Sequence, residues 1–371
     1  MRIVHVISTG GLYGAEQVLL ELGAYQRNAG HEVSVLALDG AGADALVDAA
    51  RGRGLGGVRL ATRTGDPVKV GRALGAEVHR IAPDILHSHG YKPDILIAAL
   101  RLTRTVACVA TCHNAYTAGF KIGAYEWLDR RCFRRFHGVI AVSRKIEAEI
   151  LAAGVRPGRL RVIWNGIDAP ASQAHGRSEV RSALGVRPDE VLMLRVGRLE
   201  PVKGNDYLIE AVALLGAEFP LRLLFVGDGP GRSALEAAIR SAGLEDRARI
   251  LGFRTDVLDL LGAADLFVSS SLSEGLPITV LEAMASRCPI VSTAVGEIPH
   301  VLADGTEALF APPANVEALR VALATALADP TASRQRAAAA FAKYLANHSR
   351  QAMGRQYDLA YQDAIRVKAR S

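Results

Sequence analysis

The chain has 371 residues, half of them hydrophobic and 22% charged; these proportions exclude a disordered chain, and the length exceeds one ordinary core, so two domains are expected. Its formal charge of +6, from 44 Lys and Arg against 38 Asp and Glu, suits a phosphate-bearing partner (nucleotide, anionic membrane or nucleic acid) without choosing among them. Cys108, Cys112, Cys132 and Cys288 form no CxxC pair or zinc spacing, which reads as buried thiols of a reducing compartment.

In chain order, MRIVHVIST reads as a first strand rather than a signal peptide. Short apolar runs then alternate with helical-period stretches, the pattern of a doubly wound α/β fold. Strands are predicted over 2–8, 32–38, 84–89, 107–113, 138–143 and 160–166, with a helix from Ala15 to Ala29 closed by Gly30. A polar, small-residue stretch interrupts the alternation at 169–190 and reads as a linker between domains. Strands resume over 191–199, 221–227, 248–253, 265–271, 288–294 and 307–312, and the chain is helical and Ala-rich beyond about 313. The expected division is 1–168, 169–190, 191–345 and a helical 346–371 that crosses back to the first domain. Two Rossmann-like domains would then face each other across a cleft. No apolar run of about 18 residues escapes charge, so no bilayer span is expected and the expected location is cytoplasmic.

Open parallel sheets bind ligands beyond the carboxyl ends of their strands, so the strand-to-helix loops carry the search. In SSSLSEGLPITVLEAMAS (269–286), Gly275 allows a turn and Pro277 suits the first turn of a helix. The backbone N–H groups near Leu276 and Ile278 then form an anion site. Glu274 lies just outside that helix and Glu282 about one and a half turns inside it. Carboxylates accept paired hydrogen bonds from vicinal hydroxyls, so one could reach a sugar and the other a ribose; on spacing alone, two ordinary surface glutamates read equally well. In RLEPVKGNDYLIEA, Arg198 and Lys203 flank Pro201 at a strand's carboxyl end, two cations suited to a pyrophosphate.

VGRLEPVKG, VGDGPGRSALE, EGLPITVLEAM and an N-terminal STGGLYGAE together resemble the retaining glycosyltransferases of family 4, which have the GT-B fold, over nearly the whole chain. The resemblance implies that Arg198 and Lys203 bind the donor diphosphate, that Glu274 contacts the transferred sugar and that Glu282 contacts the ribose. It also singles out Gly10 and Gly11 after the first strand, with Gly14 opening the next helix, and His113 in ATCHNA near the reacting carbon. His87 and His89 share one strand face and read as structural. The sequence departs from the family at Ser286-Arg287-Cys288, at Glu297 and His300 in VGEIPH, and at Ala308 where glycine is usual.

The implied reaction moves a hexosyl unit from a UDP- or GDP-sugar to a hydroxyl of a glycan or glycolipid, with retention, in bacterial cell-surface polysaccharide or lipopolysaccharide synthesis. No Asp-x-Asp triad is evident, so no metal and no cofactor is expected. Lys121, Arg130, Arg131, Arg134 and Arg135, mixed with aromatics in 120–138, would suit peripheral contact with an anionic membrane at its inner face, or a solvated helix face. No nucleic-acid partner is expected. A dinucleotide-dependent oxidoreductase is excluded because GDGPGR (227–232) places Arg232 where the last glycine of GxGxxG belongs. A sugar-nucleotide epimerase, a phosphorylase or a non-catalytic binding protein stays open.

Overall fold

A computed structural model describes residues 1–12, 14–38, 40, 42–60, 66–113, 120–168, 175–216 and 218–371, without the side chains of 67 and 120–126. The chain divides into two units, the first Met1–Gly166 with Arg350–Ser371, the second Ile167–Ser349. Of the predicted linker, 169–174 lies outside the described residues.

The first unit carries a parallel sheet of β1 (Arg2–Ser8), β2 (Glu32–Leu38), β3 (Gly56–Leu60), β4 (Ile85–His89), β5 (Ala107–Cys112), β6 (Gly138–Ala141) and β7 (Leu160–Val162), in the order β3-β2-β1-β4-β5-β6-β7. The second carries β8 (Val191–Val196), β9 (Leu221–Val226), β10 (Ala248–Gly252), β11 (Leu266–Ser269), β12 (Ile290–Thr293) and β13 (Leu309–Ala311), in the order β10-β9-β8-β11-β12-β13. Both are doubly wound. The winding reverses between β1 and β4 in one unit and between β8 and β11 in the other, and a crevice for ligand opens at such a switch point.

The central strands read as unbroken apolar runs because helices cover both faces of each sheet. In β1 the five residues from Ile3 to Ile7 are at most 2% exposed, and in β8 the four from Leu192 to Arg195 at most 4%. The strand missed in sequence is β3. Its GGVRL sits at the sheet edge with only Leu60 buried, so it has neither alternation nor an apolar run to announce it. The helix Arg350–Ala369 returns to the first unit, where Met353, Tyr357, Tyr361 and Ala364 pack with Ile3, Val18, Leu22, Ile85 and Val109. All four cysteines are buried, and none is joined in a disulfide. No helix among the described residues is long and apolar enough to cross a membrane.

Candidate active site

In the second unit, β8 ends in Gly197 and leads through Arg198 and a single 3-10 turn, Pro201–Lys203, to Gly204 at φ +59° and the helix Asn205–Leu215. A Cβ on Gly204 would lie 2.1 Å from the carbonyl of Ser270, so glycine lets this loop lie directly against the one after β11. Across that contact the Lys203 ammonium meets the Glu274 carboxylate at 2.6 Å, both largely buried. Ser271 donates to the same carboxylate oxygen at 2.7 Å. The chain then enters the helix Ile278–Ala285, whose preceding residue is Pro277 and whose first turn has no side-chain cap. Its leading N–H groups and dipole present a positive end one turn from Glu274.

The remaining predicted residues of this unit divide by environment. Arg198 is 72% exposed and reaches Glu200 at 3.0 Å. Glu282, inside the helix, is mostly covered, and burial pushes its carboxyl up to about 7. Gly275 presents its carbonyl to Glu297 N–H at 3.0 Å. Gly296, at φ +58°, backs this turn so closely that a Cβ would lie 2.2 Å from the Glu274 carbonyl.

Sequence reasoning passed over Arg195. Only 4% exposed, it joins both loops, donating to the Lys203 carbonyl at 3.1 Å and to Ser271 Oγ at 3.3 Å. Burial lowers its pKa to about 10, and the Glu274 charge opposes that shift. The signal was an arginine inside the apolar run VLMLRV. Such a charge persists in a core only when hydrogen bonds and an opposite charge compensate its lost hydration.

In the first unit, Gly10 and Gly11 follow β1, and Thr9 Oγ1 accepts from Gly11 N–H at 3.0 Å. Gly42 lies so close that a Cβ would stand 2.2 Å from the Gly11 nitrogen. His113 follows β5. Parallel register places His5 beside His87 and His89 beside Thr111, so imidazoles gather from mid-β1 through β4 to the carboxyl end of β5.

A hydrogen-bonded row results. Gln26 Oε1 contacts His5 Nε2 at 2.8 Å, His5 Nδ1 meets His89 Nε2 at 3.0 Å, and His89 Nδ1 meets His113 Nε2 at 2.9 Å. Burial drives all these rings toward the neutral form, His5 and His113 to about 4 and His89 well below its usual range. A carbonyl oxygen can only accept, so with Gln26 in this orientation His5 carries its proton on Nε2. Each neutral ring then donates from Nε2 to the Nδ1 before it, and His113 is left with an unprotonated Nδ1 outside the row. His87, His89 and His5 hold donor atoms within 4.8 Å of one another. Both nitrogens of His87 are nevertheless engaged, by Tyr361 at 2.8 Å and Thr111 at 2.7 Å, and those of His5 and His89 lie within the row. A cation would have to break that network. His89 thus supports His113 directly rather than being structural alone.

The arginines of 130–135 do not converge. Arg130 pairs with Glu149 at 3.8 Å, Arg131 lies over the Trp127 ring at 4.3 Å, and Arg134 donates to the Ala153 carbonyl at 2.8 Å. Arg135 turns to a cavity elsewhere, and the Lys121 side chain lies outside the described residues.

Two consecutive doubly wound units, each with a glycine-shaped loop at its switch point, define a protein of the GT-B class. Two family models match in succession, Glycosyltransferase Family 4 over residues 13–169 and Glycosyl transferases group 1 over residues 176–344, and the chain belongs to these group 1, family 4 glycosyltransferases. It is 29% identical over 245 residues to the alpha-D-kanosaminyltransferase of Streptomyces kanamyceticus, covering 64% of this chain and 63% of that one. It is 27% identical over 242 residues to the N-acetyl-alpha-D-glucosaminyl L-malate synthase of Bacillus anthracis, covering 63% of each. The chain therefore spans just under two thirds of these relatives' lengths. Its fold is similar to that of Anabaena Alr3699/HepE in complex with UDP, with a TM-score of 0.84 at 21% identity over 98% of this chain and all of that one. A glycosyltransferase from Rickettsia africae gives 0.85 at 18% identity over 98% of each chain.

Proposed function

We propose that the chain is a retaining hexosyltransferase, moving a sugar from a UDP- or GDP-sugar to a hydroxyl of a glycan or glycolipid, in bacterial cell-surface polysaccharide or lipopolysaccharide synthesis. The observation that carries this reading is the Lys203–Glu274 pair beside an uncapped helix N-terminus. Without donor, the ammonium rests on the carboxylate. With donor, the diphosphate recruits Lys203, Arg198 and the N–H groups near Leu276 and Ile278, and Glu274 is freed for the hydroxyls of the sugar. Glu282 takes the ribose, and His113 acts beside the transferred sugar with Gly10 and Gly11.

In this reaction a bond forms between the acceptor oxygen and the anomeric carbon on the face from which the diphosphate oxygen leaves. The acceptor proton passes to the departing diphosphate. Developing phosphate charge is stabilised by fixed donors that are already oriented, which is electrostatic catalysis. No metal or cofactor takes part in the proposed step. The UDP bound by the Anabaena relative, and the sugar-transferring names of the curated relatives, support this class of donor.

The test pairs a thermal-shift screen of UDP-, GDP- and ADP-sugars with product analysis using the radiolabelled preferred donor. Label transferred to an acceptor with the anomeric configuration kept supports the proposal. Label recovered as an epimerised nucleotide sugar, transfer that depends on inorganic phosphate, or binding without turnover would each replace it.

A further inference from the structure

A polar cavity of about 640 Å³ lies in the first unit, at the opposite end of the sheet from His113. Arg101 and Arg104 reach it from just before β5, Arg135 and His137 from just before β6, Arg159 from just before β7, and Lys368 from the last turn of the helix Arg350–Ala369. These are the amino ends of parallel strands, whereas the candidate active site uses carboxyl ends. The six residues of β5 separate the two places by roughly 20 Å.

Charge is unbalanced there. Several arginines elsewhere meet carboxylates, as Arg177 and Arg181 do at Asp265 and Arg350 does at Glu21. Around this cavity, none of the five cations forms an ion pair among the described residues, and the Arg159 guanidinium donates to the Phe136 carbonyl at 3.3 Å. Ser371 lines the same cavity, and the excess of positive charge that remains costs electrostatic energy that a bound anion would relieve.

His137 supplies an independent sign. It is 95% buried by its 5% exposure, and its Nδ1 accepts from the Cys108 backbone N–H at 3.0 Å. A neutral ring that accepts at Nδ1 carries its proton on Nε2. Burial, reinforced by Lys368 and Arg159, keeps the ring neutral by lowering its pKa to about 4. The Nε2–H has no partner among the described residues, and the ring lines the cavity. The Nε2–H opens to the cavity, where a ligand oxygen can accept from it.

We propose that this cavity is a binding site for a phosphate-bearing ligand, held by His137 Nε2–H and the guanidinium groups of Arg101, Arg104, Arg135 and Arg159. Forked guanidinium donors match phosphate oxygens, and the volume accommodates more than a bare phosphate, such as a phosphorylated metabolite or a lipid headgroup. The site does not depend on the reaction proposed above.

Full-length protein with ¹⁵N-labelled histidine is titrated with inorganic phosphate while the His137 Nε2–H resonance is followed. The titration is repeated in Lys203→Ala, which weakens the donor loop, and in Arg104→Gln/Arg135→Gln, two exposed positions whose loss leaves the fold intact by circular dichroism. The resonance should move saturably in wild type and in Lys203→Ala, with affinity at least tenfold weaker in the double variant and a smaller loss in Arg101→Gln. In a second arm, sedimentation with phosphatidylglycerol vesicles is compared with phosphatidylcholine vesicles. Selective sedimentation that the double variant abolishes identifies a headgroup as the source. Saturation by phosphate without vesicle preference identifies a soluble ligand. A His137 resonance unmoved by either probe, a Kd weaker than about 10 mM with no vesicle preference, or undiminished binding by the double variant would overturn the site.

Discussion

The two switch points of this protein share a topology and differ in electrical character. After β8 and β11 the chain gathers full charges: Arg195 beneath, and Lys203 and Glu274 at 2.6 Å above it. Along β1, β4 and β5 it gathers His5 within β1, His89 at the end of β4 and His113 just past β5, a row of imidazoles that burial keeps neutral. The contrast arises from side chains, since both sheets reverse their winding in the same way. A charged site can hold a diphosphate. A neutral row can set where a proton sits on its last member but offers no counter-charge. In the proposed reaction, the charged loops of the second unit hold the donor diphosphate.

The largest effect expected of this comparison is at Lys203. Lys203→Ala removes the cation and leaves Glu274 with Ser271 alone, so kcat/KM for transfer should fall by roughly a hundred- to a thousandfold. Melting should fall as well, because Glu274 is left largely buried without its cation, so the loss of kcat/KM is read on protein shown to be folded by circular dichroism. Near-normal kinetics with the preferred donor would dissolve the charged half of the contrast.

Acid should distinguish the units next. His5 and His113 titrate in the folded chain near 4, against an ordinary value of 6.5. Between those values the unfolded chain binds more protons, so stability is present above pH 6.5 and is lost as pH falls toward 4. The slope is up to about 1.4 kcal/mol per pH unit for each histidine. Hydrogen exchange of β1, β4 and β5 should accelerate across that window well before that of β8 and β11. Equal acid sensitivity of the two sheets would show that the row is not what sets it.

Glu282 gives a smaller effect of opposite sign. Its carboxyl is raised by burial to about 7, so the stability it contributes is present below its ordinary pKa of 4.5 and lost as pH rises through 7. Glu282→Gln should therefore stabilise the donor-free protein above pH 7 by about 1–2 kcal/mol in urea unfolding. It should also weaken donor binding roughly tenfold through the ribose, at a cost typical of one hydrogen bond to a charged group. A variant that loses stability at high pH would remove this assignment.

The smallest change concerns Arg287, in the segment Ser286-Arg287-Cys288. Its φ is +53°, a left-handed conformation that costs a non-glycine residue about 1 kcal/mol, while its guanidinium lies 4.2 Å over the Phe341 ring. Arg287→Gly should thus shift the urea midpoint little, because relieved strain offsets the lost stacking. Arg287→Ala keeps the strain and loses the stacking, and should be the less stable of the two by about 1 kcal/mol.

Much of the donor half was readable in sequence because it is local. The Arg198–Lys203 and Glu274–Glu282 spacings each lie within one strand-loop-helix unit, so chain order alone nearly fixes the geometry. The histidine row was not readable. His5, His89 and His113 are separated by 84 and 24 residues, and only the β1–β4–β5 register brings their rings together. Edge strand β3 escaped notice for a different reason: a glycine-led, half-exposed strand buries too little to leave a pattern.

By itself the sequence determined the alternation of strands and helices, the two sheets and the donor-loop motifs, because hydrophobic periodicity and glycine placement act over a few residues. Tertiary structure alone decided that Arg195 ties two loops together, that His89 supports His113, and that Arg135 leaves its neighbours to join four other cations around His137. Each of these depends on which strands lie side by side, and that is settled by burying two whole sheets rather than by any local preference of the chain.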